Sequence, residues 1–184
     1  MINMDNPMER STLSKLFAVL LRYPDEEFVA GLDDASDAAK TITDETQRQR
    51  CERLIQYLKS TPILQAQEAY TAAFDLNPKL CLNLTYHRWG DGKERGEALA
   101  AFTRMYLENG YAPATRELPD YLPMVLEMFS VTDPEMLTEP AADCLPDIES
   151  MAHRLKETES PWAGIMAGVV DSFTPLSEKR RRAS

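Results

Sequence analysis

Two short runs concentrate side chains capable of chemistry: TYHRWGD at residues 85–91 and ELPDYLP at residues 117–123, bracketing a single helical pattern that sets the distance between them. In the first run His87 and Asp91 are spaced so that an imidazole base and an orienting carboxylate can meet, the pairing with which a hydrolase activates its nucleophile. No recognisable nucleophile elbow accompanies them, and a lone histidine near carboxylates also serves as a plain hydrogen-bonding group. Gly90, Gly92 and Gly96 in GDGKERG precede a helix and raise the question of a phosphate loop. Their spacing matches neither GxGxxG nor the P-loop pattern, no buried strand comes before them, and Asp91 would repel a phosphate. A turn followed by a helix start accounts for the run, with Gly96 expected to let a neighbouring backbone approach closely.

Metal chemistry finds little support. Cys51, Cys81 and Cys144 are widely spaced, form no CxxC, and have only His87 and His153 as imidazole partners. Neither HExxH nor an equivalent ligand pair occurs. The three are expected to be buried structural thiols in a reducing compartment. Glu117, Asp120 and Glu127 fit two readings: solvated surface charge, or the rim of an acidic groove that takes a peptide bearing Lys or Arg beside an apolar anchor. Among the nine methionines, Met105, Met124, Met128 and Met166 fall on helical patterns, where thioethers fill a core or line an adaptable binding surface.

These residues need elements to hold them, and the composition favours one folded unit. The chain has 184 residues, of which 43% are hydrophobic and 27% charged, enough for one core without staples. A net charge of −10 disfavours attraction to nucleic acid or anionic lipid and suits a basic partner. No apolar run approaches a membrane span and the N-terminus lacks a signal peptide pattern, so a cytoplasmic location without membrane insertion is expected. The closing EKRRRAS sets four basic residues against one acid. Residues 1–175 are expected to form one helical domain and residues 176–184 a flexible basic tail.

Apolar residues recur at helical spacing almost throughout. Leu13, Leu16, Phe17, Leu20 and Leu21 mark a first helix capped by Ser11 and ended by Tyr23-Pro24. A second, weaker one follows Asp25, with Phe28, Leu32, Ala35 and Ala39 inward and Gly31 interrupting. Cys51, Leu54, Ile55 and Leu58 follow a cap at Thr43 or Asp44, and Ile63, Gln67, Tyr70 and Phe74 follow Thr61-Pro62. LCLNLTY at residues 80–86 alternates as a strand would, but a lone strand has no partner, so a strand is not expected. Leu99, Phe102, Thr103 and Tyr106 mark a helix stopped by Asn109-Gly110. After a loop with Pro113 and Pro119, Asp120 is expected to cap a helix with Leu122, Val125, Leu126 and Phe129 inward. Leu145, Ile148, Met151, Ala152 and Leu155, then Trp162, Ile165, Met166, Val169, Val170 and Phe173, give the last two. The expectation is an all-α, single-domain, irregular bundle of about seven or eight helices.

The runs LSKLFAVLLRYPDEEF at 13–28, AYTAAFDLNPKLCLNLTYHRWGDGKERGEAL at 69–99 and ELPDYLPMVLEMF at 117–129 together resemble the NarJ-type nitrate reductase molybdenum cofactor assembly chaperones, within the redox enzyme maturation chaperones. The resemblance covers the first two thirds of the chain; beyond about residue 131 it is mostly pattern, and the tail is short for the family. It implies a helical domain with no catalytic activity and no cofactor of its own. Such a protein binds the N-terminal segment of the apo catalytic subunit of a membrane-associated nitrate reductase in the cytoplasm. It keeps that subunit competent for insertion of molybdenum cofactor and an iron–sulfur cluster before membrane docking. A proofreading chaperone of the Tat type for another molybdoenzyme, and a hydrolase built on His87 and Asp91, are the alternatives. The state expected is a monomer or weak dimer. The family motif falls on Tyr86, His87, Gly90, Asp91, Arg95 and Gly96, and on the run from Glu117 through Leu118, Pro119, Asp120, Tyr121 and Leu122 to Pro123. Asp91 is expected to cap the following helix and Arg95 to pair with Glu117 or Asp120. With Met124 and Glu127 alongside, Tyr86, His87, Asp91, Arg95, Glu117, Asp120, Tyr121 and Pro123 are the candidate peptide-binding residues. GDGKERG departs from relatives, which commonly carry Ser and Arg after the Asp, so Gly92 and Lys93 weaken a contact role there.

Overall fold

Asn6 accepts the amide of Glu9 and Pro7 occupies the first turn, so α1 (Pro7–Leu20) begins earlier than a cap at Ser11 would allow. Ser11 instead donates its hydroxyl to the Ser130 carbonyl across the bundle. The computed structural model describes residues 6–112, 116–132 and 140–183, with side chains described to Pro175; Pro113 and the side chains of the basic tail lie outside the described residues.

Asp25 caps α2 (Glu26–Ala30) through the Phe28 amide, and Gly31 separates it from α3 (Leu32–Lys40). The second helical pattern is thus two helices. Asp44, not Thr43, caps α4 (Glu45–Ser60), because the Thr43 hydroxyl is committed to Glu9. Pro62 occupies the cap position of α5 (Ile63–Tyr70), where Thr61 was expected, and Ile63 stays exposed. A π-helical turn (Thr71–Asp75) then keeps Phe74 inward. A 3-10 turn (Pro78–Leu80) leads to the short α6 (Tyr86–Trp89), α7 (Glu94–Glu108) and α8 (Leu122–Val131). Thr103 lies on the exposed face of α7, and Gly110 takes the left-handed φ of +78° expected of a C-terminal stop. A second 3-10 turn (Ala141–Cys144), α9 (Leu145–Glu157) and α10 (Ala163–Ala183) complete the order, α10 running on through Pro175 to Ala183.

The fold is all-α, with ten α-helices among the described residues, eight of them seven residues or longer. The surplus over the sequence estimate comes from the split at Gly31 and from α6, four residues that carry no measurable period. No helix among the described residues is long and apolar enough to cross a membrane.

The core lies where α1, α4, α8, α9 and α10 meet, and its largest fully buried side chains include Trp162, Phe17, Phe102 and Phe173. α10 comes close to α1 at Gly168, where an added Cβ would stand 2.5 Å from the Phe17 ring and 2.8 Å from Gln47 Oε1. Gly96 has no such neighbour: nothing lies within 4 Å of where its Cβ would be, so close packing does not explain that glycine. The open end of α1 is closed by side chains from elsewhere. The Trp162 indole donates to the Leu20 carbonyl at 3.1 Å and the Tyr70 hydroxyl to the Leu21 carbonyl at 2.9 Å, satisfying acceptors a helix terminus leaves orphaned. Burial pushes the thiols of Cys51 and Cys144 up to about 12, whereas Cys81 is only half-buried, so the expectation of three buried thiols fails at that position. All three are free, and no group of residues able to hold a metal occurs among the described residues.

Candidate functional site

The two motif runs meet through backbone. Leu122 N–H donates to the Leu82 carbonyl at 2.8 Å and Leu84 N–H to the Asp120 carbonyl at 3.1 Å, an isolated antiparallel bridge centred on Asn83 and Tyr121. The alternating LCLNLTY run therefore has a partner after all, one residue pair long and too short to be a strand. Beneath the bridge sits the Asp120 side chain, 0% exposed. Its carboxylate accepts the Thr85 amide at 2.9 Å, the Thr85 hydroxyl at 2.5 Å and the Asn83 amide group at 3.1 Å. Arg95 completes the knot. Its Nη2 stands 3.7 Å from Asp120 Oδ2, its Nε donates to Thr85 Oγ1 at 3.0 Å, and its guanidinium lies over the Tyr86 ring at 5.3 Å. The expected pairing of Arg95 with Asp120 is present.

The expected caps are not. Asp120 turns inward to Thr85, and α8 begins at Leu122 without a side-chain cap: its first amide is bonded to the Leu82 carbonyl, Pro123 has none to offer, and the Met124 amide goes to the Tyr121 carbonyl. Asp91 is 89% exposed on its side chain and stands 3.9 Å from Arg95, while Lys93 takes the cap position of α7. His87 and Asp91 do not pair either. His87 Nε2 lies 2.7 Å from the Cys81 carbonyl, which can only accept, so this nitrogen carries the proton and the ring fastens α6 to the segment before it. Arg88 reaches the other way, donating to the Asp143 carbonyl at 2.9 Å.

Beside this knot runs a trough of three adjoining depressions. The first, ≈ 470 Å³, is walled by Tyr23, Tyr70, Phe74, Tyr86 and Tyr121 with Asp75 and Glu117 at its edges. The second, ≈ 330 Å³, shares Tyr23, Glu117 and Tyr121 with it and adds Arg22, Asp25, Pro123, Met124 and Glu127. The third, ≈ 380 Å³, shares Met124 and Glu127 and continues along α8 past Lys15, Val19 and Met128 to Val131. Burial raises the hydroxyls of Tyr70 and Tyr121 above the ordinary tyrosine value, so both stay neutral donors in the wall.

The profile of the nitrate reductase delta subunit family matches residues 42–167. The chain belongs to that family. It is 29% identical over 164 residues to the probable nitrate reductase molybdenum cofactor assembly chaperone NarJ of Bacillus subtilis, spanning 88% of each chain. It is 30% identical over 152 residues to the probable nitrate reductase molybdenum cofactor assembly chaperone NarW of Escherichia coli, covering 80% of this chain and 62% of that one. The nitrate reductase-like protein NarX of Mycobacterium tuberculosis is 31% identical over 168 residues; 88% of this chain matches, but only 24% of NarX.

In this delta subunit family member the motif residues divide by task. Tyr86, Glu117, Tyr121, Pro123, Met124 and Glu127 line the trough, whereas His87, Arg95 and Asp120 hold the backbone behind it and Asp91 stands in solvent. Sequence reasoning missed the opposite wall: Tyr23, Tyr70, Phe74 and Asp75. Tyr23 carried a signal, an aromatic just after a helix and just before proline, and it is 41% exposed. Tyr70 and Phe74 share the register of the fourth helical pattern and are buried, and they also line the first depression.

Proposed function

We propose that this chain is an assembly chaperone for nitrate reductase, and that its trough binds the N-terminal segment of the apo catalytic subunit. The bound subunit is held competent for insertion of molybdenum cofactor, and of an iron–sulfur cluster, before it docks at the membrane. The cytoplasm is where such a step takes place.

One observation carries the reading: the three depressions share lining residues in succession, Tyr23, Glu117 and Tyr121 and then Met124 and Glu127, beside α8 and the second motif run. A helical peptide laid there would set apolar anchors against Tyr23, Tyr121, Met124 and Met128, while Asp25, Asp75 and Glu127 favour basic side chains at the rim. The relatives named as nitrate reductase assembly chaperones support the choice of client. The hydrolase alternative loses its orienting carboxylate, since His87 is hydrogen-bonded to the Cys81 carbonyl rather than to Asp91.

Calorimetric titration of a synthetic peptide comprising the N-terminal segment of the catalytic subunit tests the proposal. Saturable binding is expected, and Tyr121→Ala should weaken it by about tenfold, the loss typical of one buried aromatic anchor. No heat at tens of micromolar would remove direct recognition, and stronger binding of a twin-arginine leader from another molybdoenzyme would transfer the role to that client.

A further inference from the structure

Resting on the groove reading above, we infer that the trough fixes the direction of the bound segment: its basic end seats between Asp75 and Glu117, and its apolar remainder runs past Tyr121 along α8 toward Lys15 and Val131.

The charge around the trough is uneven. Among the described residues, the first two depressions are lined by Asp25, Asp75, Glu117 and Glu127 and by one guanidinium, Arg22. The third is lined by one cation and one anion, Lys15 and Glu127, and for the rest mainly by apolar and aromatic side chains such as Val19, Met124, Met128 and Tyr106. The acidic end is also where ring faces crowd together. Tyr23, Tyr70, Tyr86 and Tyr121 surround the same space, and a cation entering it meets both carboxylates and aromatic quadrupoles.

A competing force exists and is weaker. The dipole of α8 favours a neighbouring helix running antiparallel to it, which would put the peptide's amino end beside Val131. Each helix end contributes only about half an elementary charge. At the amino end of α8 the Leu122 amide is moreover already bonded to Leu82. Whole carboxylates outweigh that remainder, so the end of a segment that carries its cations, the α-ammonium of a chain start among them, belongs at Asp75 and Glu117.

Cys81 makes the direction measurable. It lines the first depression, whereas Cys51 and Cys144 are buried with thiols raised to about 12, so a nitroxide reagent reaches Cys81 selectively. The second reporter is Val131→Cys in a Cys81→Ser background, at a position 60% exposed at the far end. With the isotope-labelled catalytic-subunit peptide bound to the full chain, the Cys81 nitroxide should broaden its basic end and the residue 131 nitroxide its other end. The reversed pattern, or equal broadening of both ends from each reporter, overturns the inference. Should the label at Cys81 block binding, the residue 131 arm alone decides. Asp75→Asn should weaken the unlabelled peptide by about 2- to 5-fold in low salt, and unchanged affinity would overturn the electrostatic origin. Absence of any calorimetric binding to the unlabelled wild-type chain strikes the groove reading itself, which separates the two failures.

Discussion

Two aspartates close two junctions of this molecule and behave differently. Asp171 joins α10 to α4 at the edge of an apolar interface: its carboxylate takes the Arg50 guanidinium at 2.6 Å and the Gln47 amide at 2.9 Å, with its side chain 39% exposed. Asp120 lies under the backbone bridge of the two motif runs, wholly out of solvent, and each of its bonds organises chain that is neither helix nor sheet. At the α4–α10 junction packing fixes the geometry and the charges decorate it. Between the motif runs there is no helical period to fix anything, and a desolvated polar network takes over that task.

The sharpest way to break the comparison is to remove each carboxylate in turn. Asp120→Ala leaves the Thr85 amide and hydroxyl and the Arg95 guanidinium buried without their acceptor, and should lower stability by about 3–5 kcal/mol in urea denaturation, with loss of peptide binding. If instead it is silent, the network is not what positions the trough. Gly168→Ala attacks the other junction through packing. The new methyl would collide with the Phe17 ring and Gln47 Oε1, and a loss of about 1–3 kcal/mol is expected with affinity for peptide retained.

Glu9 offers a pH-resolved intermediate case. Its buried carboxylate accepts the Thr43 hydroxyl at 2.6 Å and the amides of Thr43 and Asp44 at 2.7 and 2.8 Å, tying α1 to the start of α4. The Thr43 hydroxyl first, and the Asp44 amide next, hold its pKa below the usual glutamate value. Stability from this group is therefore fully present above the unfolded pKa of about 4.3 and is lost as pH falls through the lower folded value. Glu9→Gln should be less stable than the parent at neutral pH by about 1.5 kcal/mol, with the gap closing on acidification below about pH 4. A constant gap across that window would show that shape rather than charge matters there. Smallest of all, Asp171→Ala should cost at most about 1 kcal/mol, because an ion pair at a wet rim contributes little. A loss matching that of Asp120→Ala would erase the distinction between the junctions.

The same distinction explains what was legible in the sequence. Leu13, Phe17, Leu54, Leu58, Ile148, Met151, Ile165 and Val169 repeat at helical spacing and are all buried, so the helices they mark were readable. Asp44 is one of the two caps that the sequence offered for α4, and Asp25, expected only to supply acid to the start of a weak helix, caps α2 through the Phe28 amide. Ser11 and Asp120 do not cap, since Ser130 and Thr85, far away in sequence, claim them. The bridge between Asn83 and Tyr121 was illegible for a related reason. The alternation of LCLNLTY shows in the sequence, but nothing in it names a partner that begins beyond an intervening helix and meets it at a single residue pair. Among the site residues, those in dense motifs were found, while Tyr70, Phe74 and Asp75 were hidden by a helical pattern in which a π turn follows Tyr70 without a proline or glycine to announce it.

The indole that closes the end of α1 has one more property. Trp162 is buried with its ring edge-on to Tyr70 and Phe74, centroids 5.6 and 5.7 Å away, and both of those rings form the floor of the trough. Trp89, the second indole of the chain, faces a different cleft between α7 and α9. A guest that shifts those two rings alters the surroundings of the buried indole. The protein thus carries an optical gauge of its own occupancy, in need of no dye.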